Sequence, residues 1–181
     1  GEVMDSYRAL LPLLEDPAKQ VAVRHRLADL EFQRAENKMV ETAEDEMAGA
    51  IEAYEQLLAE YPERPGNDQV LYQLARAYDL RGMSEEHLAT LTTLVNEHPD
   101  SQFWVEAQFR RGDLLFSNRR YTEAEQGFRM VIDADPARRD DASFLVNARI
   151  AVIGVLPELP AESLNAAGPP AAPKALRRVY L

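Results

Sequence analysis

Three histidines are the side chains of this sequence whose type best suits metal binding or acid–base chemistry. His25, His87 and His98 lie far apart along the chain, and no two have the four-residue spacing that places two metal ligands on one helix face. The sequence has no cysteine, which removes thiol nucleophiles and thiolate metal sites. We therefore expect no metal, and we interpret the three histidines as interior or surface residues.

An acidic cluster is the second candidate for chemistry, because carboxylates bind cations. The cluster lacks the alternating oxygen ligands and the turn glycine of a calcium loop, so we interpret it as a solvated helix surface. The sequence also has no nucleophile elbow, phosphate-binding glycine loop or dinucleotide fingerprint. These observations predict no catalytic residue, no cofactor and no enzyme activity. The acidic cluster consists of Glu41, Glu44, Asp45 and Glu46.

The charge balance narrows the classes of partner. The chain has 181 residues with a formal net charge of −11, which repels nucleic-acid backbones and acidic lipid surfaces. No run of apolar residues is long enough to span a bilayer, so we expect no direct membrane insertion. The first residues lack the basic and apolar regions of a secretory signal, and their abrupt start leads us to expect that the protein continues upstream.

The elements that would position any site are helices arranged in repeats. Pro62, Pro99 and Pro136 are 37 residues apart, and each follows apolar residues spaced three or four apart. This spacing puts the apolar residues on one helix face, and proline then ends the helix. The three apolar ladders are Ala50, Tyr54 and Leu57; Leu88, Leu91 and Leu94; and Ala124, Phe128 and Val131.

A second amphipathic run precedes each of the last two ladders, at 69–82 and at 101–120. Helix-start signals lie between the runs: Ser84 before two glutamates, and Thr122 with Glu125 in a capping-box pattern. Each unit is thus predicted to be a helix, a tight turn, a second helix and a proline. Because neither helix can bury its apolar stripe alone, the hairpins must stack.

This pattern resembles the tetratricopeptide-repeat (TPR) family. The family signature has a small residue in the first helix, apolar or small residues 12, 16 and 19 positions later, and proline after 24. The resemblance implies an all-α protein, an α-solenoid of antiparallel helix pairs in a right-handed superhelix with no β-sheet. The matching sets are Ala75, His87, Leu91, Leu94 and Pro99, and Gly112, Ala124, Phe128, Val131 and Pro136.

Departures from the signature point to a subtype. His87 replaces a small residue, and Gln108 and Arg111 replace large apolar ones. The repeat of 37 rather than 34 residues adds three after each proline, which resembles bacterial envelope TPR proteins with lengthened first helices. Segments such as EAQFRRGDLLFS also resemble segments of large TPR proteins associated with TonB-type systems. In the first repeat, ten extra residues lie within ENKMVETAEDEM, and we interpret them as extension of both helices.

The predicted organisation is a TPR solenoid over 1–164 and a Pro/Ala-rich tail over 165–181. A helix near 141–156 is apolar on all sides and needs cover. The tail is predicted to dock on a solenoid surface, within one chain or by exchange, which would give a homodimer through the 141–156 helix and the tail. The solenoid divides into a half-repeat at 1–17, repeats at about 18–64, 65–101 and 102–138, and a partial repeat at 139–164.

The resemblance also implies a binding surface, because first helices line the concave groove in this family. Its groove positions fall on two sets of residues here, and the first repeat presents a third. Aromatic side chains beside single charges suit binding of an extended or helical protein segment. The alternative is that Phe109 and Phe116 pack between helices. The sets are Tyr72, Arg76 and Asp79; Phe109, Asp113 and Phe116; and His25, Asp29 and Phe32.

The leading functional hypothesis is therefore a non-catalytic scaffold that binds a protein or peptide partner, in the periplasm or cell envelope of a bacterium. The alternative is a cytoplasmic TPR adaptor or regulator whose groove or terminal helix is covered by its own tail. An enzyme of unknown type is a distant third hypothesis.

Overall fold

The computed structural model describes residues 2–37, 40–134 and 142–159, and every regular element in these ranges is helical. Within them no helix combines the length and apolar character needed to cross a bilayer. The all-α prediction is confirmed. The helices are α1 (Glu2–Leu10), α2 (Pro17–Glu36), α3 (Val40–Glu60), α4 (Asn67–Leu80), α5 (Ser84–Glu97), α6 (Trp104–Ser117), α7 (Tyr121–Asp133) and α8 (Ala142–Val155), with single 3₁₀ turns at Leu11–Leu13 and Leu156–Glu158.

The helices pack in consecutive pairs and form two compact units. Unit 1 covers residues 1–111 and contains the pairs α2–α3 and α4–α5, with α1 packed on α2. Unit 2 covers residues 112–181 and contains the pair α7–α8, and the boundary falls within α6.

The predicted ladders are the cores of these pairs. In unit 1, α3 buries its ladder in a cluster that also contains Phe32 of α2 and Tyr78 of α4. In α5 the ladder residues Leu91 and Leu94 are buried, and Leu88 is half-buried. The period of three and four residues therefore identified these faces correctly. The fully or almost fully buried ladder residues are Ala50, Tyr54, Leu57, Leu91, Leu94, Ala124, Phe128 and Val131.

The turns after α4 and α6 each contain a residue in the left-handed conformation. After α4, Gly82 has φ 66°, and the N–H of Met83 reaches back to the carbonyl of Tyr78 at 2.9 Å. This is the hydrogen bond of a Schellman C-cap, which favours glycine. After α6 the residue 37 positions later is Arg119, with φ 59°, so a residue with a Cβ adopts the conformation that favours glycine.

The helix-start predictions are partly wrong. Asp16 caps α2 as its type and the following proline suggest, because its side chain accepts from the N–H of Ala18 at 2.9 Å. Ser84 is the first residue of α5, and Glu85 and Glu86 lie in its first turn, as the sequence predicts. The Thr122–Glu125 capping box does not form, because α7 already begins at Tyr121 and Glu125 pairs with Arg129 instead.

The expected lengthening of first helices holds only in the first repeat. There α2 has 20 residues and α3 has 21, as the acidic insertion suggests. In contrast, α4 and α6 have 14 residues each. The residues added after Pro99 form a turn, in which the hydroxyl of Ser101 accepts from the N–H of Phe103 at 3.1 Å. Local hydrogen bonding by serine therefore competes with helix formation here.

Unit 2 is built on a close approach between α6 and α7. Gly112 lies against the ring of Phe128, and an added Cβ at Gly112 would be 2.6 Å from that ring. The small residue in the predicted signature is therefore needed for packing. The predicted helix at 141–156 is confirmed as α8. Pro136 and the tail at 165–181 lie outside the described residues.

Candidate functional site

The predicted groove residues of α4 lie at positions 72, 76 and 79. Adding 37 and 74 gives the equivalent positions in the next two repeats, and we call this set of nine positions the groove register: 72, 76, 79, 109, 113, 116, 146, 150 and 153. On α4, Tyr72 and Arg76 are half-buried and Asp79 is exposed. Their spacing of four and three residues puts them on one helix face. The neighbours of each residue decide what this face can bind.

Arg76 connects α4 to α2. Its guanidinium donates to Oε1 of Glu36 at 2.6 Å and to Oε1 of Gln73 at 3.2 Å. The guanidinium carbon also lies 5.0 Å from the ring centroid of Phe32, within cation–π range. These contacts hold Arg76 in a defined position at the surface, with 39% of its side chain exposed. A held arginine is a good hydrogen-bond donor for a ligand because less entropy is lost on binding.

Tyr72 connects α4 to α6 within unit 1. Its ring stacks on Phe103, with centroids 4.3 Å apart and planes 11° from parallel. Burial, followed by the charge and hydrogen bond of Glu106, raises the pKa of Tyr72. Glu106 also accepts from Nε of Arg110 at 2.7 Å. Tyr72 therefore remains a neutral phenol, and one face of its ring is already in contact with Phe103.

Asp79 and His87 line a cleft of about 170 Å³ between α4, α5 and α6. Nδ1 of His87 lies 3.5 Å from Oδ1 of Asp79. Burial lowers the pKa of His87, Asp79 opposes that effect and Arg110 adds to it. A neutral imidazole in the cleft can therefore donate one hydrogen bond and accept another. The cleft is lined by Ala75, Arg76, Asp79, Leu80, His87, Leu91 and Arg110.

The predicted groove residues of the first repeat, His25, Asp29 and Phe32, contact the core more than they line the surface. Phe32 is 2% exposed, so its ring is a packing residue beneath Arg76. Asp29 accepts a hydrogen bond of 2.8 Å from the buried hydroxyl of Tyr54, and Nε2 of His25 lies 3.6 Å from the same carboxylate. Burial lowers the pKa of His25, with Asp29 opposing.

The second set is divided between the units. Phe109 is half-buried in unit 1. In unit 2, Asp113 is exposed and Phe116 is 38% exposed. The rings of Phe116 and Tyr121 form a T-shaped contact with their centroids 5.4 Å apart. Phe116 thus presents apolar surface while it packs locally.

Sequence reasoning missed the residues that hold the groove register in place. Glu36 and Phe103 lie 40 and 31 residues from their partners, and no spacing rule connects them. Among the described residues, no group of three or more His, Cys, Asp or Glu side chains could hold a metal ion.

Comparison with known proteins supports the repeat assignment. The family model described as tetratricopeptide repeat matches residues 41–108, from α3 into α6. No curated protein sequence matches the chain.

Solved structures with a similar fold include TPR-like repeats. Nearly identical TPR-like repeats of a kinesin light chain from Podosopora anserina share 19% identity, with a TM-score of 0.56 over 93% of this chain and 89% of that one. Two MamA structures are also similar. One has 12% identity and a TM-score of 0.53 over 90% of this chain and 88% of that one. The other, of AMB-1, has 18% identity and a TM-score of 0.53 over 97% and 92%. At these identities the likeness shows the fold alone.

Proposed function

We propose that this chain is a non-catalytic interaction scaffold that binds a segment of another protein along the groove register of unit 1. The observation that carries this proposal is the side-chain connection between three successive first helices. Arg76 reaches Glu36 of α2, and Tyr72 hydrogen-bonds Glu106 of α6. These connections make one ordered surface from aromatic, cationic and anionic groups, which suits a protein segment.

The mixed charge of this surface favours a segment that carries both polar and apolar side chains. Asp79 is exposed, while Arg76 and Arg110 are each paired with a carboxylate. A purely acidic ligand would compete with Glu36 and Glu106 for the same guanidinium groups. A purely basic ligand would find Asp79 but no other free carboxylate among these pairs, because Glu36 and Glu106 already pair with the arginines.

The experiment compares capture of partner proteins by the full chain and by a Tyr72→Ala/Phe109→Ala variant. The full chain is immobilised in extract of its source cell, and bound proteins are quantified by mass spectrometry. We expect the double variant to lose specific partners while its melting temperature changes only modestly. Tyr61→Ala is the matched control, because Tyr61 is also a half-buried aromatic but lies outside the groove register.

Two results would contradict the proposal. Unchanged capture by the folded double variant would show that the groove register does not bind the partner. Unfolding of the double variant, while Arg76→Gln/Asp79→Asn leaves both folding and capture unchanged, would show that these residues only stabilise the fold.

A location in the bacterial periplasm or envelope, with a TonB-type association, is our proposal for the cellular context, and it rests on the sequence resemblance. A signal peptide or lipobox in the native N-terminal sequence would support it. Cytoplasmic fractionation of the native protein would favour the adaptor alternative. The homodimer through residues 141–156 and the tail also stays a prediction, and light scattering of the full chain over a range of concentrations tests it.

A further inference from the structure

A second cleft of unit 1 lies away from the groove register, between α3, α4 and α5, and has a volume of about 310 Å³. Its α4 residues, Asn67, Leu71 and Leu74, are four and three residues apart, so they share a helix face that differs from the face of the groove register. Leu58 of α3 continues the apolar wall. The volume is at the small end for sites that bind organic molecules, so the cleft suits a small ligand better than a protein segment. We call this space the second-helix cleft.

Asn67 is the most deeply buried polar residue of the cleft, with 2% of its surface exposed. Its Nδ2 donates to the carbonyls of Tyr61 at 2.7 Å and Pro62 at 2.9 Å. These two hydrogen bonds fix the orientation of the amide, because a flipped amide would place Oδ1 against two carbonyl oxygens. Among the described residues, Oδ1 has no hydrogen-bond partner. A buried acceptor without a partner is unfavourable, so a ligand with a hydrogen-bond donor is favoured here.

The other polar groups of the cleft also supply an excess of acceptors. The hydroxyl of Thr93 donates to the carbonyl of Ala89 at 3.2 Å, so its oxygen is left to accept. Glu97 is exposed, and its carboxylate has no ion-pair partner in the part of the chain that the structure describes. Thr90 and His98 can each donate as well as accept, and no lysine or arginine lines the cleft. The cleft therefore favours a ligand that has N–H donors and a positive charge.

The next repeat indicates which shape this position accommodates. Adding 37 to position 67 gives Trp104, which is 7% exposed. Its Nε1 donates to the carbonyl of Val95 at 3.0 Å, and Val95 is the equivalent of Leu58 by the same addition. An aromatic ring with an N–H donor thus packs at this position when the chain itself supplies one. At the start of α4 the smaller Asn67 takes that position and lines an open cleft.

We propose that the second-helix cleft binds a small aromatic ammonium ion, in which a short chain joins a ring to a primary amine. The ring packs on the apolar wall of Leu58, Leu71 and Leu74, and the ammonium group donates to the acceptors of the cleft. Glu97 supplies the opposite charge. A carboxylate on the ligand would meet Glu97 and no cation in the lining, so a simple amine is favoured over an amino acid. The inference goes beyond the scaffold proposal, because these residues lie outside the groove register.

Amide NMR of the full chain with phenethylamine as the probe tests the inference. The side-chain amide of Asn67 and the backbone amides of Thr93 and Glu97 report on the cleft, and those of Tyr72 and Arg76 report on the groove register. We expect saturable shifts of the cleft signals with a Kd of about 1 mM or tighter. Phenethyl alcohol should bind about fivefold more weakly or worse, because its donor carries no charge. Hydrocinnamate, which has the same ring with a carboxylate, should give no saturable shift.

Two pairs of variants locate the ligand. Ala89 is exposed and lines the cleft, so Ala89→Phe should preserve folding and weaken binding about tenfold or more by filling the space that the ring needs. Asn96→Phe is its control, because Asn96 is exposed on α5 but does not line the cleft. Glu97→Gln should weaken binding about two- to fivefold, as expected for the loss of an exposed ion pair. Glu85→Gln, at an exposed position of α5 outside the cleft, should leave binding unchanged.

Four results would overturn the inference. Shifts that do not saturate would show that the cleft is not a site for the amine. Shifts confined to Tyr72 and Arg76 would place the amine in the groove register. Equal affinity for the three probes would show that the cleft does not select a cation. Unchanged affinity of both Ala89→Phe and Glu97→Gln would show that the amine binds elsewhere. Partner capture through the groove register does not depend on the cleft, so either proposal can fail while the other holds.

Discussion

Replacing Gly112 with alanine tests the packing of unit 2 at its closest point. The new Cβ would lie 2.6 Å, 2.8 Å and 3.1 Å from three carbons of the Phe128 ring. Ordinary carbon–carbon contact is about 3.5–4.0 Å, so the ring must move by roughly 1 Å. Phe128 is only 1% exposed, and its surroundings leave it little room to move.

Two opposing terms set the magnitude. Overpacking a core costs about 1–3 kcal/mol. Alanine in a helix interior is more favourable than glycine by about 0.8–1 kcal/mol, which offsets part of that cost. Gly154 provides the control, because it is helical, lies in the same unit and has nothing within 4 Å of an added Cβ. Gly154→Ala should be neutral or stabilising by up to about 1 kcal/mol.

The assay is urea denaturation followed by circular dichroism for both variants. We expect Gly112→Ala to be about 1–3 kcal/mol less stable than Gly154→Ala, the difference being the overpacking cost. Phe128→Leu in the Gly112→Ala background should recover part of the loss, with a coupling energy of at least about 0.5 kcal/mol. Equal stability of the two alanine variants would refute the close packing of α6 on α7.

Three other predictions follow from single residues. Arg119→Gly should stabilise unit 2 by about 1 kcal/mol, because Arg119 has φ 59° in a left-handed turn, and a lower urea midpoint would contradict this. Leu91→Ala should cost about 2–5 kcal/mol, because Leu91 is 1% exposed, and a loss under about 0.5 kcal/mol would mean that it is not core. Burial lowers the pKa of His87, so the unfolded chain takes up its proton first as pH falls below about 6.5, and stability is lost from there downward. His87→Gln should lose less stability between about pH 7 and pH 5.5 than the unmodified chain, and an equal loss would exclude His87 as the cause.

Much of the fold could be predicted because it depends on short-range patterns. The ladders predict which helix faces are buried, and Pro62 and Pro99 predict where two helices end. Asp16 followed by Pro17 predicts the start of α2. The Thr122–Glu125 capping box is wrong because several residues within one turn can begin a helix, and α7 begins at Tyr121. The sequence predicts helix at Ser101, but the structure has a turn there, because the side-chain hydrogen bond of serine competes with helix formation.

The site depends on contacts that no local pattern encodes. The pairing of Arg76 with Glu36 joins side chains of two helices that are 40 residues apart in the sequence. Phe32 was predicted at the surface, but Arg76 covers it. The exposed apolar surface of α8, in contrast, is predicted from the sequence, because a helix that is apolar on all sides cannot bury every side against one partner helix.

Photo-crosslinking from single positions of the full chain in its native cell tests the central claim most directly. A photoreactive side chain is placed at positions 76 and 79 in the groove register of α4. Ala89 and Asn96 on α5 are the controls, because both are exposed outside the register. The scaffold account predicts cross-links to the same partner from positions 76 and 79 and none from positions 89 and 96. Cross-links of equal yield from all four positions, or from α5 alone, would contradict it.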